Sequence, residues 1–248
     1  MIKIVIDNIT NSKLLAQHGL SILIDEKKRI LFDAGQDEKV LEHNLKLLGE
    51  KEKFDYFVLS HGHYDHSDGL KYLIENELIE TVILHKDALK KRFYNGRYIG
   101  VSEEVKKLLD KVNVIFIQDE FRIDKDNIVL GDIVRKFYYE PEDFKDEKGK
   151  DLVEDELILI SKNRLITGCS HSGVINVIEH AKNFEVIRLV VGGFHLINAS
   201  QEYLEEVLRY LKVQEFKFIP LHCTGFKALC SLSRLKNFVF GCAGMVVK

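Results

Sequence analysis

The sequence predicts an α/β protein of two stacked sheets flanked by helices, and three observations carry that expectation. Short apolar strand patterns open both halves of the chain. Each opening is followed by strand, loop and helix units. The loops at the strand ends repeatedly carry histidine.

The first β-like runs are Ile2 to Asp7, Leu20 to Asp25 and Arg29 to Asp33, the last two joined by a charged turn at Glu26 to Lys28. Gln36 to Leu48 places Val40, Leu41, Leu45 and Leu48 at helical spacing and ends at Gly49, a helix stop. The strand Tyr56 to Ser60 runs directly into SHGHYDHSDGL, Leu70 to Leu78 reads as helix and Thr81 to Leu84 as strand. Between Lys86 and Asp155 the pattern is weaker: a helix at Glu103 to Val112, a strand at Val114 to Ile117, and a charged stretch from Glu140 to Glu156 that reads as a mobile loop. The second half then gives strands at Leu157 to Ser161 and Arg164 to Thr167, the loop GCSHSG, a helix at Val174 to Ala181 and a strand at Ile187 to Val191. The loop GGFH, a helix at Ser200 to Leu211, a strand at Lys217 to Pro220 and the loop LHCTG complete it.

Composition bounds the function. With 248 residues, 46% hydrophobic and 30% charged, the chain suits one large core or two small ones, and its two prolines and lack of any Gly/Ser-rich stretch give no linker, so one domain is expected. A net charge of -3 with interspersed signs gives no footprint for nucleic acid, so a small-molecule substrate is expected. No basic leader precedes the first strand and no apolar run approaches the roughly 20 residues of a membrane span, so a cytoplasmic location without membrane partners is expected. The four cysteines, Cys169, Cys223, Cys230 and Cys242, form no C-x-x-C pair and read as free thiols.

His61, His63, Asp65 and His66 put three imidazoles and a carboxylate into one short loop, the nitrogen and oxygen donors that borderline divalent metals such as zinc prefer. His61 and His63, two apart in an extended segment, point to one side, while Asp65 and His66 sit where the chain turns into helix. Four donors cannot surround two adjacent ions, so further ligands are sought among His171, His195 and His222 at other strand ends.

The segment HGHYDH at 61–66, between an apolar strand and a helix, resembles the signature loop of the metallo-β-lactamase superfamily, and Asp33-Ala34-Gly35 resembles its upstream D-x-G turn. ITGCSHSGVIN at 166–176, VVGGFHL at 190–196 and PLHCTG at 220–225 resemble the branch of dihydropterin-ribosylaminobenzene-phosphate synthase-like proteins. The resemblance implies a four-layer αββα sandwich of two mixed sheets flanked by helices, as one domain over 1–248 with a family-specific insertion around 86–155. It implies two divalent ions, zinc first with manganese or iron as alternatives. His61, His63 and His171 would hold one, and Asp65, His66 and His222 the other. Cys169 stands where the superfamily usually has an aspartate bridging both ions, and is carried as a further ligand candidate. His85 is read as structural.

Such a centre implies a hydrolase that turns a metal-bound hydroxide on a small anionic, phosphorylated or ester substrate; the alternative is a pterin-related synthase or transferase on the same metals. Asp65, besides ligating, would orient the nucleophile. Asp33 reads either as the hydrogen-bond partner of a ligating histidine or as a turn aspartate. His195 reads equally as substrate contact or structural residue. The Gly192 and Gly193 N–H groups are candidates for an anionic group, and Ser170 and Thr224 for phosphate contact or helix capping. Lys90, Lys91, Arg92, Phe93, Tyr94 and Arg97 read as a solvated helix face or a contact for an anionic planar substrate. An apolar helical surface across Lys86 to Val112 leaves a homodimer open. His18, His43 and His180 are assigned no chemistry.

Overall fold

Aliphatic and β-branched runs dictate where the strands lie. A computed structural model of the chain describes residues 1–11 and 13–247. The strands are β1 (Ile2–Ile6), β2 (Ser21–Asp25), β3 (Arg29–Phe32), β4 (Tyr56–Val58), β5 (Thr81–His85), β6 (Arg92–Tyr94), β7 (Arg97–Tyr98), β8 (Asn113–Ile117) and β9 (Glu120–Arg122). They continue as β10 (Asn127–Leu130), β11 (Lys145–Asp146), β12 (Gly149–Lys150), β13 (Ile158–Ser161), β14 (Arg164–Thr167), β15 (Leu189–Gly193), β16 (Lys217–Leu221) and β17 (Val246–Val247). The helices are α1 (Glu38–Leu47), α2 (Tyr64–Ser67), α3 (Leu70–Glu75), α4 (Glu103–Leu108), α5 (Val174–Ala181), α6 (Gln201–Lys212) and α7 (Phe226–Leu232).

The chain forms two compact units and passes between them at 117/118, 142/143, 151/152 and 241/242. The first unit holds a seven-stranded sheet in the order β17-β1-β2-β3-β4-β5-β8. β1, β2 and β3 pair antiparallel, β2 and β3 as a hairpin, while β3, β4, β5 and β8 are parallel. Parallel neighbours need crossovers, and α1 and α3 supply two of them. Asp37 starts α1 by accepting from the Lys39 and Val40 N–H groups. Leu41 and Leu45 of α1, Leu73 of α3 and Val105 of α4 pack on Leu23, Leu31, Phe57 and Val82 in one core. The alternate strand residues Ile4, Ile22, Ile30, Val58 and Ile83 are fully buried too, which is why these strands read as continuous apolar runs.

The second unit holds a six-stranded sheet in the order β16-β15-β14-β13-β10-β9, parallel across β14, β15 and β16 and antiparallel beyond. Its helical layer is α5, α6 and α7, whose Val177, Val207 and Leu232 pack with Ile160, Leu165 and Val190. Each unit thus contains one mixed sheet with helices against it, the components that the αββα expectation requires. Among the described residues no helix is long and apolar enough to cross a membrane.

The segment around 86–155 departs most from expectation. Lys90 to Arg97 is not helical: β6 and β7 form a hairpin on Asn95 and Gly96, both at positive φ (49° and 75°), the Asn-Gly turn that matches strand twist. That dipeptide was the signal in the sequence. Within Lys86 to Val112 the helical residues are those of α4 and the 3-10 turn Leu109–Lys111 that follows it. The charged stretch 140–156 contains a second hairpin, β11 and β12, and β11 pairs with β6. Arg92, read as part of an exposed basic face, is 1% exposed and its Nε donates to Asp151 Oδ2 at 2.6 Å. Its Nη1 donates to the carbonyls of Gly62 and Ala88. Replacing Asp151 by alanine removes the buried counter-charge, so a loss of about 3–5 kcal/mol is expected. Urea unfolding of Asp151→Ala against wild type measures it.

Candidate metal centre

In the first unit β4 carries the chain into Ser60-His61-Gly62-His63, and α2 begins at once, placing Asp65 and His66 in its first turn. Only glycine fits at 62, because a Cβ there would lie 1.8 Å from the Ala88 carbonyl oxygen. All four donors are buried, from 0% exposed at His61 and His66 to 7% at Asp65.

Hydrogen bonds fix which nitrogens are available. Asp33 Oδ1 accepts from the Ser60 N–H (2.8 Å), and Oδ2 accepts from Ser60 Oγ (2.7 Å) and His66 Nδ1 (2.6 Å). With its proton given to Asp33, Ser60 Oγ accepts from His61 Nδ1 at 2.8 Å. Both rings are thereby protonated on Nδ1 and keep the Nε2 lone pair for a ligand. His61 Nε2 lies 3.0 Å from His63 Nδ1, and His66 Nε2 lies 3.8 Å from Asp65 Oδ2. Nitrogens at that separation suit two ligands of one tetrahedral ion, for which bond lengths of about 2.0–2.1 Å put them roughly 3.3 Å apart. The donor set fits a divalent metal. Of the two readings of Asp33, the structure gives the one in which it orients a histidine.

Sequence reasoning passed over His18. Its Nε2 donates to Asp65 Oδ2 at 3.0 Å, and the Leu20 N–H reaches the Asp65 carbonyl. Gly19, at φ 142°, allows the approach, since a Cβ there would sit 2.5 Å from that carbonyl oxygen. No spacing rule links residue 18 to residue 65; only folding does. His85 lies at the end of β5, where its Nδ1 accepts from the Asp87 N–H at 3.1 Å, a turn-forming role that matches its structural reading.

In the second unit the donors follow the parallel strands: Cys169 and His171 after β14, His195 after β15 and His222 after β16. Open α/β sheets place ligand sites at these carboxyl ends. Ser170, His195 and His222 take positive φ (59°, 47° and 47°), as Asp33 does in the first unit (60°). Such backbone conformations in non-glycine residues concentrate at functional loops.

Glu156, inside the stretch read as a loop, is buried and accepts from the His171 N–H (2.6 Å) and the Ser172 N–H (2.9 Å), fixing the loop that carries His171. Burial raises its carboxyl above the ordinary range against the pull of these bonds. The His171 and His195 rings are 4.2 Å apart between centroids. Glu142 Oε1 lies 3.5 Å from His195 Nε2, and this bond holds the Glu142 carboxyl low. Burial pulls the His195 pKa down, but the bonds to Cys223 and Glu142 outweigh it and lift the value to about 10. Burial alone would raise the Cys223 thiol; bonds to Cys169 and His195 and the His222 and His195 charges bring it well below its ordinary value.

The remaining polar candidates have other occupations. The Gly193 N–H donates to the Gly168 carbonyl, and Gly192 is paired in the sheet between Thr167 and Pro220, so neither offers its N–H to an anion. Their small size is what matters: a Cβ at Gly192 would lie 1.9 Å from the Thr167 oxygen. Ser170 Oγ donates to the Gly193 carbonyl (2.8 Å), and Thr224 Oγ1 donates to the Leu221 carbonyl (2.7 Å) and accepts from the Phe194 N–H. Both tie loops together, and neither caps a helix.

A mixed α/β fold whose parallel strands end in histidine-rich loops defines a metal-binding class of protein. Residues 28–133 match the Beta-lactamase superfamily domain. The chain is 54% identical to an uncharacterized protein of Methanocaldococcus jannaschii, covering 100% of this chain and 99% of that one. It is 33% identical to the 7,8-dihydropterin-6-methyl-4-(β-D-ribofuranosyl)-aminobenzene-5'-phosphate synthase of the same organism, over 88% of this chain and 84% of that one. The crystal structure of a metal-dependent hydrolase of the β-lactamase superfamily matches with a TM-score of 0.89 at 30% identity, covering 100% and 98% of the two chains. The chain belongs to the metallo-β-lactamase superfamily, in the branch similar to these synthase-like proteins.

Proposed function

We propose that the protein is a metal-dependent hydrolase of small anionic, phosphorylated or ester substrates. The observation that carries this reading is the Asp33, Ser60, His61 and His66 network, which leaves two ring nitrogens unprotonated beside a carboxylate. By the superfamily pattern His61, His63 and His171 would hold one ion and Asp65, His66 and His222 the other, with Cys169 as a further ligand candidate. Divalent ions, zinc first, bring a water's pKa towards neutrality and stabilise charge on the reacting oxygens when bound. Asp65, held by His18, orients the nucleophile. His195, kept protonated by its partners, offers a positive charge to the anionic group of the substrate.

A second reading, a synthase or transferase in pterin chemistry, is favoured by the 33% identity to the dihydropterin synthase. Elemental analysis of the purified protein, with hydrolysis of p-nitrophenyl phosphodiester and ester reporters, separates the two. The hydrolase reading expects two ions per chain, and turnover that a chelator abolishes and added metal restores. Bound metal without turnover on any reporter would sink it and turn attention to pterin ligands.

A further inference from the structure

Strands β14, β15 and β16 lie side by side and parallel, with Thr167 paired to Gly192 and Gly193 paired to Leu221 at their ends. Two residues beyond these pairs, each strand delivers one soft or borderline donor: Cys169 after Thr167, His195 after Gly193, Cys223 after Leu221. The two sulfurs and a ring nitrogen of His195 all lie within 4.8 Å of one another. Both thiols are buried, at 3% and 4% exposure. Gly193 makes room for one of them, since a Cβ there would lie 2.5 Å from Cys223 Sγ. Glu142 Oε1 faces His195 Nε2 at 3.5 Å. A carboxylate behind a ligating histidine is the usual companion of a metal site, because it fixes the ring and its tautomer.

We propose that Cys169, Cys223 and His195 form a binding site for a thiophilic divalent ion such as zinc, with Glu142 as the positioning residue. A tetrahedral ion with Zn–S of about 2.3 Å and Zn–N of about 2.0–2.1 Å needs donors roughly 3.5–3.8 Å apart, so the cluster closes by at most about 1.3 Å. Two thiolates and one imidazole select zinc over manganese or magnesium, and leave a fourth position for water or a substrate atom. The site shares Cys169 with the ligand set proposed above and rests on that reading no further. Occupancy withdraws Cys169 from the ligand set proposed above and His195 from contact with the substrate's anionic group, so the two uses of these side chains alternate.

Cobalt(II) titration of the reduced, metal-free full-length protein tests this. Thiolate ligation gives near-ultraviolet charge-transfer absorption that scales with the number of sulfurs, and Cys223→Ser and Cys169→Ser are each expected to remove about half of it or more. Glu142→Gln is expected to weaken cobalt binding about 10–100-fold while leaving the saturated band unchanged. A band that Cys223→Ser does not alter, or no band in wild type, overturns the site. Should a variant fail to fold, cadmium-113 NMR of the wild-type protein decides: a resonance at the two-sulfur position supports the site and its absence refutes it. Reporter turnover is read separately, so a two-sulfur site in a protein without hydrolase activity would leave this inference standing alone.

Discussion

His63→Ala is expected to leave the protein folded with one fewer ion per chain and to depress reporter turnover more than about 100-fold. The magnitude follows from comparison with residues that only orient a ligand, whose removal lowers affinity or activity about 10–100-fold; deleting a donor should do more. His63 Nδ1 stands 3.0 Å from His61 Nε2, so the substitution also removes the partner that the proposed first ion would share with His61. Elemental analysis and circular dichroism on the same sample separate lost metal from lost fold. His85→Ala is the control. His85 is also a buried histidine at the end of a strand of the same sheet, but it closes a turn, and its variant should keep its full complement of metal. Metal loss in His85→Ala, or full metal content in His63→Ala, would reverse the ligand assignment.

Asp33→Asn should be the most damaging change at a residue that is not itself a proposed ligand. The carboxylate is completely buried and accepts from the Ser60 N–H, the Ser60 hydroxyl and His66 Nδ1. An amide in its place keeps one acceptor oxygen and turns an NH2 group towards Ser60 and His66. His66 must then move its proton to Nε2, the nitrogen that a metal requires, or leave a buried donor unsatisfied. A fall in metal affinity of about 10–100-fold is expected, with a loss of about 1–3 kcal/mol in folding stability. Metal titration by competition with a chelating dye reads the first effect, and denaturant unfolding of the metal-free protein the second. Lower stability with unchanged affinity would mean that Asp33 serves only the turn.

Periodicity located most of the framework. Helix α5 has the bounds its apolar spacing predicts, Val174–Ala181, and β14 likewise at Arg164–Thr167. These elements are legible because each buries an apolar face whose repeat matches its geometry. Legibility fails between 86 and 155 for an equally physical reason. There short strands pair with residues far away in the chain: β6 pairs with β11 across some fifty positions, so neither leaves a local pattern. Arg92 and Asp151 look like solvated charges in the sequence and are a buried pair in the structure.

The same division runs through the site. By itself the sequence determined the family resemblance, the order of strands and helices outside 86–155, and the cluster His61, His63, Asp65 and His66, because those donors share one loop and their spacing is local. Tertiary structure alone decided which side chains stand behind them. Asp33 on His66, His18 on Asp65, Glu156 under the His171 loop and Glu142 on His195 are all contacts between residues distant in sequence. A hydrogen bond leaves no periodic trace in a sequence, and one carboxylate among 39 acidic residues carries no mark of its partner until the chain has folded around it.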